Sequence, residues 1–146
     1  MVSFSSLTLL PVSTFFVSER IEPERSTLLA PLAELKASGA SDLELGTLQC
    51  AKAYVETTGA SDIDIDRMAC GEVYWQSSGA SDIQVKNVES REFNAMLDGA
   101  SELEASLTGV ETIKAALSGA SEADLKLNNC GTVLLSASGA SNVDLS

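Results

Sequence analysis

The chain has 146 residues, 45% of them hydrophobic, and sets 21 acidic against nine basic side chains for a net charge of −12 with no histidine. That length suffices for one domain with a real core, and the acidity excludes a nucleic-acid partner, which needs a basic stripe. No apolar run reaches the roughly 18 residues of a membrane-spanning helix.

Residues 1–17, MVSFSSLTLLPVSTFFV, have the apolar character of a signal h-region but no positive n-region and no clear small-residue cleavage site. The preferred reading makes Phe15, Phe16 and Val17 a strand or cap over the first repeat, since terminal repeats of an array must cover their neighbours. All three prolines, Pro11, Pro23 and Pro31, lie in this leading part. Residues 18–31 read as a polar connection. The chain therefore divides into a cap or leader segment, 1–31, and a repeat array, 32–146, which opens with Ala33, Leu35 and Ala37.

Gly-Ala-Ser recurs at residues 39, 59, 79, 99, 119 and 139, a period of 20 without insertion or deletion. Self-similarity at this spacing is the mark of a solenoid whose coils bury their apolar faces only against one another. After each triplet, Leu43, Ile63, Ile83, Leu103, Ala123 and Val143 form one apolar column, and Leu45, Ile65, Val85, Ala105, Leu125 and Leu145 a second, with polar residues between them. This alternation of period 2 is a half-buried strand. A second strand precedes each glycine, with inward columns led by Ala53, Val55 and Thr57, and Trp75 falling on an inward position. Helix is the competing reading of this alanine-rich stretch. It fails because 20 residues cannot hold a strand, a full helix and two connections, and no 3.6-residue period appears.

Each glycine falls at a corner between strands, where a positive φ is needed. The following alanines are expected to let the corner pack tightly, and Ser41, Ser61, Ser81, Ser101 and Ser121 to cap its backbone groups. A catalytic serine is the functional alternative, but six equivalent copies without a histidine argue against it. Cys50, Cys70 and Cys130 share a column with Ser90 and Val110. Stacking places Cys50 and Cys70 about 4.8 Å apart at the backbone, near the reach of a disulfide. Buried free thiols are nevertheless the preferred reading, because the column also accepts valine and serine. The odd count and the absence of a Cys-x-x-Cys pair argue against zinc.

Two sets of outward residues are candidate sites. Tyr54 and Tyr74 fall in one column on neighbouring coils, where they could hold a sugar ring or simply act as a cross-strand stabiliser. The positions flanking the first strand hold Asp42, Asp62, Asp82, Glu102 and Glu122, then Glu44, Asp64, Glu104, Asp124 and Asp144, which is ten of the 21 acids. Carboxylates about 5 Å apart repel by roughly 0.8 kcal/mol in water, so the ladders cost folding energy unless they are solvated or bridged. A screened acidic face is the plain reading. The functional one has Asp62, Asp64, Asp82, Glu102 and Glu104 binding calcium weakly through oxygen.

The reiterated S-G-A-S-D unit, as in Ser38–Leu45 and Ser78–Val85, resembles the GIN-type head domain of auto-transporter adhesins, a family common in Bacteroidetes envelopes. The resemblance covers about residues 32–146. It implies an all-β, single-stranded right-handed parallel β-helix of about six coils, exported to the cell envelope or the extracellular side and without established catalytic residues. Handedness follows also from the preference of crossovers between parallel strands. The functional expectation is a non-catalytic structural or adhesive module without a cofactor, meeting a surface glycan or protein, with self-association through open coil ends as a further expected contact. The alternative is a polysaccharide lyase or hydrolase, which would need long loops interrupting the coils to build a cleft. An ice-binding solenoid would need threonine ladders, and Thr57 and Thr58 stand nearly alone.

Overall fold

The computed structural model describes residues 7–8, 13–17 and 27–146. They form one all-β solenoid of parallel strands stacked at a spacing of about twenty residues, with no helix among the described residues. The strands are β1 (Leu7–Thr8), β2 (Ser13–Val17), β3 (Thr27–Glu89), β4 (Glu92–Gly99), β5 (Glu102–Thr108), β6 (Thr112–Leu117), β7 (Glu122–Asn128), β8 (Thr132–Ala137) and β9 (Asn142–Leu145). β3 is one long run of ladder-paired backbone that winds through the first coils and keeps its pairing around the corners. From it two ladders grow in opposite directions in the sheet order, β4–β6–β8 from the strands before each glycine and β5–β7–β9 from those after it. β2 pairs in parallel with Ala33–Ala37 at the same twenty-residue offset, Ser13 against Ala33 and Val17 against Ala37. The leading segment thus contributes a strand layered on the first coil.

The expected apolar columns are the core. Leu43, Ile63, Ile83, Leu103 and Ala123 are buried, as are Ile65, Val85, Ala105 and Leu125, and Trp75 is 1% exposed. In the last layer the inward positions Leu135 and Leu145 remain 40% and 41% exposed. Each buried aliphatic side chain contributes about 1.5–3 kcal/mol, and because every column is shared between successive coils, stability is a sum over neighbouring layers.

One column departs from the strict period. Counting 20 from Leu48, Met68 and Val88 leads to Thr108, yet Val88 stands opposite Leu107, and the register shifts between Val85 and Val88. The slip buries a leucine and leaves Thr108 half-buried, which the hydrophobic term favours. The lost residue is regained at the next corner, where Gly109 has φ +67°. Asn129, one coil on, repeats this with φ +54°, the residue type besides glycine that tolerates this region best.

Glycines 39, 59, 79, 99, 119 and 139 all have positive φ, from +80° to +112°. A Cβ on Gly59 would stand 2.6 Å from the Gly39 carbonyl oxygen and one on Gly79 2.5 Å from that of Gly59. The corner is therefore a column of backbone on backbone. Its alanines do not pack inside it as expected: Ala60, Ala80, Ala100 and Ala120 are exposed, because the turn carries the chain outward for two residues before the serine points back. Ser61, Ser81, Ser101 and Ser121 are buried. Ser121 and Ser141 donate their hydroxyls to the carbonyls of Ser118 and Ser138 at 2.9 and 2.8 Å, the expected capping role, and Ser101 pairs with Ser77 across one coil at 2.9 Å, whereas the buried Ser61 and Ser81 hydroxyls cap nothing among the described residues.

The reading of all three cysteines as free thiols is corrected. Cys50 and Cys70 form a disulfide between adjacent coils, and Cys130 alone is free. Their Cα atoms are 4.6 Å apart, so unshifted stacking places the pair within disulfide reach. Ser90 and Val110 follow in the column, which leaves Cys130 with no sulfur one coil away. Its thiol instead points at the Leu107 carbonyl, 3.3 Å away.

Candidate functional site

The alternation that buries the core sends every second side chain outward, and each ladder therefore presents its own face. Among the described residues, the face after the glycines carries eleven carboxylates (Asp42, Glu44, Asp62, Asp64, Asp66, Asp82, Glu102, Glu104, Glu122, Asp124, Asp144) and two lysines. Lys86 bonds Asp66 at 2.5 Å with Asp64 at 3.7 Å, and Lys126 bonds Glu104 at 2.7 Å. Gln84 donates its amide to the same Glu104 at 3.0 Å. Lys126 first, then Gln84, hold the Glu104 carboxyl below the usual carboxylate range.

The five candidate calcium ligands are distributed along this face. Asp82 stands opposite Glu102, with Asp62 one coil earlier, while Asp64 and Glu104 lie in the next column, separated by Gln84. Among the described residues no three carboxylates gather around one point. Melting in millimolar calcium is expected to match melting in sodium at equal ionic strength, as diffuse screening predicts. A rise confined to calcium and lost in the Asp62→Asn, Asp64→Asn variant would instead place a specific cation there.

The face before the glycines has the opposite character. Among the described residues Lys36, Lys52 and Lys114 partly balance Glu34, Glu56, Glu72, Glu92 and Asp98, a difference of two negative charges. Lys52 bonds Glu72 at 2.8 Å, Lys114 bonds Glu92 at 2.8 Å, and Lys36 bridges Glu34 and Glu56 at 3.0 and 3.4 Å. Glu72 is pulled below its ordinary range mainly by Lys52, and Glu92 by Lys114 and then the Asn94 amide. The two lysines rise correspondingly, with those carboxylates as first cause.

Tyr54 and Tyr74 stand together on this face with ring centroids 5.0 Å apart and planes 11° from parallel. Near-parallel rings at this centroid distance are stacked with an offset, each covering part of one side of the other. They form a ridge across the strands, the stacked cross-strand pair that their shared column leads one to expect. The Tyr74 hydroxyl reaches the Glu72 carboxylate at 3.4 Å, and partial burial, then Glu72 and Glu92, push that hydroxyl's pKa up.

Two depressions flank the ridge. One, of about 430 Å³, runs past both rings from Leu32 and Lys36 to Met96. The other, of about 500 Å³, extends from Tyr74 to Leu134 over Asn94, Met96 and Ala116. Met96 is 58% and Leu134 54% exposed, both at outward positions. The sequence signal for them is an apolar residue on the polar phase of the alternation, which the tyrosines alone do not reveal.

These features define a class: a repeat-built β-solenoid that offers two contrasting faces, with no loop interrupting its coils among the described residues. Within that class, residues 27–146 match the family described as "Putative auto-transporter adhesin, head GIN domain", and the chain belongs to that family. No curated protein and no solved structure matches it.

Proposed function

We propose that the domain is a non-catalytic, adhesin-like surface module that holds an uncharged glycan on the face carrying Tyr54 and Tyr74. The observation that carries this reading is the division of charge: among the described residues nine net negative charges lie on one face and two on the other, so the tyrosine pair sits where a neutral ligand meets little repulsion. Aromatic rings flanked by hydrogen-bonding side chains, here Gln76, Asn94 and Lys114, suit a pyranose, which has apolar C–H faces and a polar rim. The Cys50–Cys70 disulfide supports an oxidising compartment, in keeping with the envelope or extracellular location that the family suggests. Nothing observed favours the lyase or hydrolase reading, since the corners among the described strands are short and build no cleft.

Affinity electrophoresis through gels containing hydroxyethyl cellulose or alginate tests the proposal. The native domain should be retarded by the neutral polymer and not by the anionic one, and Tyr54→Ala, Tyr74→Ala should run as in plain gel. Retardation by alginate, or retardation that survives loss of both tyrosines, would overturn it.

A further inference from the structure

Because the tyrosines are stacked, Tyr54 covers part of one side of the Tyr74 ring, and the other side is the more open to a ligand. That side looks along the solenoid axis toward later coils. Register places Asn94, Lys114 and Leu134 next in the same column, and Gln76, Met96, Ala116 and Ser136 in the column beside it. Asparagine is much shorter than tyrosine, so the outer part of the Tyr74 ring stands above Asn94. Lys114 is drawn to Glu92 at 2.8 Å, on the side away from Ala116. What remains is a notch with an aromatic wall at one end and exposed Leu134 at the other, floored by a small residue and closed at the flank by Met96. Three coil steps separate the walls, about 14 Å at strand spacing.

We infer that this notch is the sugar subsite, taking one or two residues of an uncharged, equatorially linked hexose chain, with a pyranose face against the open side of Tyr74. The inference rests on the glycan reading above and adds the place and the orientation. A ring lying across the strands, parallel to Tyr74, meets aromatic carbon on one side. The Asn94 side chain lies below its edge with the amide nitrogen enclosed, and the Lys114 ammonium is reachable at the rim while still paired with Glu92. Fixed charge argues against an anionic sugar, because Lys114, the cation that lines the notch, is already paired with Glu92 and the molecule as a whole repels anions. The apolar wall at Leu134 suits the second sugar of a disaccharide better than bulk water does.

Calorimetric titration with cellobiose tests the notch, using Ala116→Trp to fill it. Ala116 is exposed, so the substitution should leave the melting temperature unchanged. Ala116→Trp and Tyr74→Ala should each weaken cellobiose at least about tenfold, and Tyr54→Ala, which removes only the ring behind, should cost less than Tyr74→Ala. Native affinity in Ala116→Trp overturns the notch even if hydroxyethyl cellulose still binds through the tyrosines. Failure of the native domain to bind either cellobiose or hydroxyethyl cellulose overturns the glycan reading itself.

Discussion

Gly79→Ala should destabilise the domain by more than about 4 kcal/mol, the range reserved for substitutions that force backbone apart. Two effects add. At φ +112° an L-residue lies outside even the left-handed region near +60°, and the new Cβ would meet the Gly59 carbonyl oxygen at 2.5 Å. That oxygen is backbone within the stack and cannot swing aside. Gly109→Ala makes the control: its φ of +67° falls within the left-handed region and a Cβ there meets nothing within 4 Å. It should cost only about 1–2 kcal/mol. Urea unfolding of the two variants compares them directly, and equal losses would mean that the corner is not held by close backbone contact.

The second large effect is covalent. Cys50 and Cys70 close a loop of 20 residues, for which the chain-entropy estimate is about 3 kcal/mol. The Cys50→Ser, Cys70→Ser variant is expected to lose that much, and reductant should bring the native protein to the same melting temperature. Cys130→Ser should leave the sensitivity to reductant intact. The same bridge ties together the two coils that carry Tyr54 and Tyr74, four residues further along each. Stability that does not respond to reductant would remove the bridge from the account.

How much of this could be read in the sequence depends on whether a feature is periodic. The inward columns, the glycine corners, the buried Trp75 and the pairing of Tyr54 with Tyr74 all follow from a constant twenty-residue offset, since stacked coils make sequence register and spatial register the same thing. What breaks the period was hidden. The slip that exchanges Thr108 for Leu107 arises from competition between two neighbours for one buried position, and its only trace is the pair Gly109 and Asn129 at the following corner. Disulfide formation was misjudged because a column that also holds valine and serine reads as tolerant of any small residue, whereas only the adjacent pair can bond. The stacking of the tyrosines follows from their shared outward column, but the 5.0 Å centroid spacing of the rings does not. The notch depends on Ala116 being small between larger neighbours, a contrast across three coils that no single repeat displays.

The weakly charged aromatic face, and not the acidic one, is the proposed working surface. Amide chemical shifts of the isotopically labelled domain, recorded while cellobiose is added, test it most directly. The account predicts movements clustered at Tyr74, Asn94, Met96, Lys114, Ala116 and Leu134, with the ladder from Asp62 to Glu104 unmoved. Shifts centred on that acidic ladder, or none anywhere at saturating sugar, would contradict it.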